Sequence, residues 1–180
     1  MCGRYEFNLT SSKKSIELKE RIEKLNLHFT SGEIFPSNKV LCVIGKENKI
    51  DLSSMTWGIK KEKLLINARI ENIDERITYK NIKNNRCAVV CNGFYEWDKD
   101  KQKHYISFNE EYMYLACIYN SNNELVILTK DASKTFSHIH SRMPIIMNQE
   151  EMIKYVHNID DVVSEKDMNI KKVNEDLKLF

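Results

Sequence analysis

Apolar and polar positions change rhythm several times along this chain, and each change marks an element. Leu18, Ile22 and Leu25 recur at i, i+4 and i+7 behind Ser11 and Ser12, predicting a helix capped by one of these serines and running to about Leu27. Pro36 and Ser37 then break the chain before a strand over 40–44. A turn is expected at Lys46-Glu47-Asn48, with short strands around Ile50 and at Thr56-Trp57-Gly58. Residues 64–68 are largely apolar and lead into Asn67-Ala68-Arg69. The stretch 71–84 reads as a polar helix with Ile73, Ile77 and Ile82 facing inward. From Arg86 the signal turns to β: a buried strand over 86–92, then 94–97 leading into the charged hairpin Asp98-Lys99-Asp100-Lys101. Segments 104–108, 112–119 and 124–129 complete a meander with turn-rich connections. A last apolar strand near 144–147 precedes a helix from Gln149 to about His157. No repeat, linker or composition break divides the chain. One α+β domain over residues 1–180 is therefore expected, a mostly antiparallel curled sheet or open barrel with a few flanking helices.

Composition narrows the class without naming a function. At 180 residues, 42% hydrophobic and 30% charged, the chain has the makeup of an ordinary globular domain. Its net charge is only +2, so any nucleic-acid surface must be a local patch. The first residues lack a charged stretch followed by an apolar run, and no segment approaches 18 apolar residues. A monomer in the reducing cytoplasm is expected, at the nucleoid in a prokaryote. The five cysteines are an odd number without CxxC spacing, which argues against a disulfide framework or zinc ribbon. Cys42, Cys87, Cys91 and Cys117 read as small core hydrophobes, the middle pair on one face of a strand.

Cys2 is different, because it lies outside any apolar run and directly follows the initiator. Removal of Met1 would leave a 1,2-aminothiol, its amine and thiol ordinarily titrating near about 8 and 8.5. Such a pair suits an aldehyde: the amine forms a Schiff base, and the sulfur closes a five-membered thiazolidine. The plain reading is an unremarkable second residue in a frayed terminus. In Asn67-Ala68-Arg69-Ile70-Glu71, the amide can hold an amine or oxyanion and the guanidinium can grip a phosphate, or the segment is an ordinary strand-end turn. In Asn92-Gly93-Phe94-Tyr95-Glu96-Trp97, a carboxylate among aromatics is suited to proton transfer, or else pairs with a lysine on a half-exposed strand. In His138-Ile139-His140-Ser141-Arg142-Met143-Pro144, two histidines share a face if extended, yet no third ligand stands at metal-site spacing, so no metal is expected. A single catalytic histidine beside a phosphate-binding arginine fits better. His28, His104 and His157 read as surface or satisfied histidines.

Together these segments resemble the SOS response-associated peptidase (SRAP) family of abasic-site processing proteins. Met1-Cys2-Gly3-Arg4-Tyr5, Asn67-Ala68-Arg69-Ile70-Glu71, Gly93-Phe94-Tyr95-Glu96-Trp97 and His140-Ser141-Arg142-Met143-Pro144 carry the likeness. Weaker matches are Trp57-Gly58, Pro36-Ser37, Ile127-Leu128-Thr129 and Val173-Asn174. The resemblance spans almost the whole chain in order. It implies a thiazolidine cross-link between Cys2 and the abasic deoxyribose in single-stranded DNA, without a cofactor. By that analogy Asn67 positions the Cys2 amine, Glu96 shuttles protons and His140 acts as acid and base around the Schiff base. Arg4, Arg69 and Arg142 would hold phosphates, with Trp57 stacking on or wedging against a base. Pro36, Ser37 and Thr129 complete the expected DNA contacts.

The chain departs from the family at two internal places and in a short C-terminal region. Trp57-Gly58 is followed at once by Ile59-Lys60-Lys61-Glu62-Lys63, where relatives usually carry a longer loop with Pro and Trp. Asn72 stands where Thr is common. Two rival readings remain: an N-terminal cysteine hydrolase whose own amine is the base, and a single-strand-binding module without chemistry.

Overall fold

The computed structural model describes residues 2–159 and 167–173, so Met1 and Asn174 lie outside it. The chain enters as β1 (Arg4–Phe7). Ser12 then caps α1 (Lys13–Lys24), its hydroxyl accepting the Ser15 N–H at 3.0 Å, a bond of about 1 kcal/mol. Of the expected stripe, Ile22 is buried and Leu18 packs on the core, but Leu25 is exposed because it is already the C-cap. β2 (Gly32–Ile34) leads to the hairpin of β3 (Lys39–Lys46) and β4 (Lys49–Trp57). The two short strands expected around Ile50 and Thr56 are thus one.

After β5 (Asn67–Arg69), the polar helix expected over 71–84 does not form. It is replaced by a 3-10 turn, Ile70–Asn72, and by the single turn α2 (Ile77–Lys80). β-branched Ile73, Ile77 and Thr78 and the asparagines at 72, 81, 84 and 85 all weaken helix, and Arg76 supplies no side-chain cap. Ile77 is 77% exposed, and Tyr79 takes the buried position instead.

The meander follows as β6 (Arg86–Cys91), β7 (Gly93–Trp97), β8 (Lys103–Phe108), β9 (Met113–Tyr119) and β10 (Glu124–Asp131). β11 (Arg142–Pro144) and β12 (Ile146–Met147) precede α3 (Gln149–Val156), which Asn148 and Glu151 close with a reciprocal capping box. β13 (Met168–Lys172) ends the described chain.

The strands form two sheets. One runs β13-β8-β7-β1-β2, antiparallel throughout. The other runs β4-β3-β6-β9-β10 and returns on itself, because β10 pairs with β9 on one side and, in parallel, with β4 through Glu124↔Thr56 and Leu125↔Trp57. The curled sheet therefore closes, and that short parallel seam leaves the rest of β10 to pair β5 and β11. Val89, Leu115, Ile127, Cys42, Cys87, Cys91 and Cys117 are among the buried core, so these cysteines are the small hydrophobes that their spacing suggested. Tyr5 meets Trp57 at 5.4 Å between ring centroids, joining the two sheets, and Phe94 meets Phe136 of the loop after β10 at 5.7 Å. Gly93 is required where β7 crosses β8: a Cβ there would lie 2.5 Å from the Ile106 carbonyl oxygen.

Candidate active site

Cys2 sits at the start of β1, an interior strand of the first sheet, and its side chain is fully buried. Two distant segments reach it. The Asn67 side-chain amide, at the start of β5, donates to the Cys2 carbonyl oxygen at 2.8 Å. Glu96 approaches from β7, where the register Arg4↔Tyr95, continued by one residue, sets Gly3 opposite Glu96. Burial first, and then the Glu96 charge, push the Cys2 thiol up to about 12. A thiolate is therefore scarce in this state at neutral pH. Glu96 itself is only 5% exposed, which removes the plainer reading of a half-exposed strand carboxylate.

Asn67 is held from behind. The Tyr79 hydroxyl donates to its backbone carbonyl at 3.2 Å, and β5 is registered on β10 through Asn67↔Ile127 and Arg69↔Thr129. Its side-chain oxygen is buried without a hydrogen-bond partner among the described residues, leaving an acceptor beside Cys2. Next to it opens a cavity of about 380 Å³, lined by Asn67, Arg69, Asn72, Arg76 and Tyr79. Tyr79 and Arg76 were not singled out from the sequence; one aromatic within a polar segment was the only available signal.

His140 lies in the loop between β10 and β11. Phe136 anchors that loop on Phe94 of β7, the strand that carries Glu96. The Arg142 backbone N–H donates to His140 Nδ1 at 2.9 Å, so the neutral ring carries its proton on Nε2.

The expected DNA contacts divide. Arg69 is exposed at the cavity rim. Arg4 is partly exposed, bonded to Glu33 at 3.2 Å and stacked between Phe35 and Trp97 at 4.2 and 5.1 Å. Ser37 is exposed in a left-handed turn beside the half-buried Pro36, its N–H bonded to the Trp57 carbonyl at 2.7 Å. Three residues take roles other than those expected. Trp57 is fully buried, its indole N–H donating to the Ile66 carbonyl at 3.0 Å, so it has no face for a base. Thr129 is fully buried and bonds the Ala68 carbonyl at 3.3 Å. Arg142 is buried, and its guanidinium grips Glu71 in a fork, Asp131 at 2.7 Å and the Thr129 carbonyl at 2.8 Å. It fastens β11 and β10 to the turn after Asn67 where a phosphate grip was expected. His104 is buried and bonded to Asp98. Among the described residues no cluster of three His, Cys, Asp or Glu could hold a metal, and no helix is long and apolar enough to cross a membrane.

Comparison with known proteins matches the SOS response associated peptidase (SRAP) family over residues 1–179. The chain belongs to the SRAP family. Among its SRAP relatives, abasic site processing protein YobE of Bacillus subtilis is 27% identical over 87% of this chain and 82% of its own. Abasic site processing protein YoqW of Bacillus phage SPbeta is 27% identical over 83% of this chain and 77% of its own. Abasic site processing protein HMCES of Xenopus tropicalis is 27% identical over 57% of this chain and 44% of its own. Crystal structures of proteins from Bordetella bronchiseptica and Bacteroides thetaiotaomicron share the fold, each with a TM-score of 0.74. The first is 14% identical and covers 96% of this chain and 99% of that one; the second is 19% identical and covers 97% and 93%.

Proposed function

We propose that this SRAP protein captures abasic sites in single-stranded DNA as a thiazolidine between Cys2, freed of Met1, and the ring-opened deoxyribose. The observation that supports this most directly is the convergence of Asn67 and Glu96 on Cys2 from distant parts of the chain. With Met1 gone, the α-amine of Cys2 needs an acceptor, and the unsatisfied Asn67 side-chain oxygen lies beside it. The amine adds to the C1 aldehyde and water leaves, giving a Schiff base. The sulfur then bonds the same carbon, and the thiol proton passes to the ring nitrogen. Because burial pushes the thiol up to about 12, it needs a base as it attacks, a role that suits Glu96. His140, with its proton on Nε2, serves the acid and base steps at the imine. Arg4 and Arg69, joined by Arg76 at the cavity rim, hold the flanking phosphates, with Pro36 and Ser37 at the side of the strand.

The test is a denaturing gel with intact-mass analysis on an abasic oligonucleotide. Processed protein gains the mass of the DNA less one water. Cys2→Ala, or a residue retained before Cys2, makes no stable adduct. Yield falls when the same site lies inside a duplex, where extrusion costs stacking and pairing. Cross-linking at the wild-type rate with Met1 retained, or equal yields on single and double strands, overturns the proposal.

A further inference from the structure

The chemistry above leaves one buried ionisable side chain unused, His104 of β8. It is the register partner of Glu96 in the antiparallel β7–β8 pair. Both residues are 5% exposed and face the same inner side of the sheet. Directly opposed side chains in such a pair have Cβ atoms about 4.5–5.5 Å apart. His104 is oriented from the far side: its Nε2 is bonded to Asp98 at 2.8 Å. Asp98 is itself pinned, its other oxygen accepting the backbone N–H groups of Asp100 and Gln102 at 2.9 and 3.0 Å. That leaves His104 Nδ1, which is buried and has no hydrogen-bond partner among the described residues. A buried ring nitrogen in this condition calls for a water or a proton-carrying neighbour. The charged groups around the ring are Glu96 of β7, Asp98 of the hairpin and Lys172 of β13, the last in register with His104 from the opposite side. Lys172 is exposed and, with Asp98 and Gln102, lines an open cleft of about 820 Å³ that reaches solvent.

We propose that His104, held by Asp98, is a proton relay behind Glu96. Opening the closed sugar takes a proton from its anomeric hydroxyl and returns one to the ring oxygen as the C–O bond breaks. Imine formation then expels water. Glu96 accepts a proton at one atom and has to hold it or pass it back while DNA covers the front of the site. One water between Glu96 and His104 Nδ1 carries that proton. Asp98 keeps hold of Nε2–H and balances the imidazolium charge until the proton returns or leaves through the cleft. His104 thus acts through Glu96 and is a positioning residue, not a catalytic one. The observed side of this pairing is on Asp98, whose carboxyl is held below its usual range first by the bond from His104.

The proposal rests on the cross-linking reading, and the experiment separates the two. Single-turnover adduct formation is followed from pH 5.5 to 9 with saturating abasic oligonucleotide, for wild type, His104→Gln, Asp98→Asn and His104→Ala. Failure of the wild type to form adduct removes the parent reading. If the wild type reacts, His104→Gln slows the step by about tenfold, below the ~10²-fold of a group that touches the reacting atoms. It also loses one limb of the pH profile, while strand affinity is unchanged. Asp98→Asn moves the same limb, and added imidazole restores His104→Ala in a saturable way. A folded His104→Gln protein with wild-type rate and profile overturns the relay, as does a folded His104→Ala protein that imidazole does not rescue.

Discussion

Asn67 ties three parts of the molecule together with one short side chain and its backbone: Cys2 through its amide, α2 through the Tyr79 hydroxyl, and β10 through the strand ladder. Glu96, by contrast, is proposed to act as the proton acceptor, and the two should separate experimentally. Glu96→Gln keeps the shape and removes the proton acceptor, so adduct formation on a single-stranded abasic oligonucleotide slows by about 10²-fold. His140→Ala alters release of the adduct as well as its formation if, as proposed, imine reversal uses the same group. A time course of yield and release distinguishes them, and a wild-type rate for Glu96→Gln would make that residue a structural carboxylate. Residue types alone could suggest Cys2, Asn67, Glu96 and His140, because each brings a chemistry that the spacing and resemblance frame. They could not place Trp57 or Arg142. An indole or a guanidinium looks the same in a sequence whether its partner is DNA or a carbonyl such as Ile66 or a carboxylate such as Glu71.

The elements were legible where a local rule sufficed. The serine before α1 and the apolar runs of β3, β6, β9 and β10 marked themselves by a cap and by continuous burial. β1, β2 and β13 are short, mix polar with apolar residues, and exist because neighbouring strands take up their hydrogen bonds. The segment 71–84 failed as a helix for the complementary reason. Its isoleucines have a helical spacing, but its turns are fixed by tertiary bonds from Arg142 and Tyr79. Arg142 is the clasp of this region. Replacing it with Ala takes a donor from the buried Thr129 carbonyl, costing about 1–3 kcal/mol, while water can take its place at the exposed Glu71 and Asp131 carboxylates. Glu71→Gln, on a half-exposed side chain, costs under about 1 kcal/mol. Urea unfolding gives both values. Because the clasp seats β5, Arg142→Ala also slows adduct formation, without the shallower salt dependence that loss of a phosphate contact produces. A salt slope lowered by about one unit would return Arg142 to the DNA.

At the scale of the whole molecule, the closed barrel stores its sulfur and phenol groups in the neutral form. Cys2, Cys87, Cys91 and Tyr5 are all fully buried, and desolvation raises each of them above its ordinary value. A raised folded value means that the unfolded chain loses these protons first. The stability they contribute is complete below pH 9, the ordinary thiol value, and declines as pH climbs from there, for Cys2 toward about 12. Thermal melts between pH 7 and 11 should show a falling Tm above pH 9, and replacing Cys87 with Ala should flatten that fall. A flat profile in the wild type would show that these groups ionise without unfolding the barrel.

The position of β1 has a mechanical meaning. It lies between β2 and β7, with three register pairs to each, and Cys2 stands two residues before Arg4, its first residue. A DNA strand bonded at Cys2 would make that strand a tow line. Tension drawn along β1 is shared at once by the hydrogen bonds on both its flanks, since these run across the direction of pull. An attachment on an edge strand or a loose arm would peel open one bond at a time. The lesion would be moored at a point of the sheet that resists being hauled out.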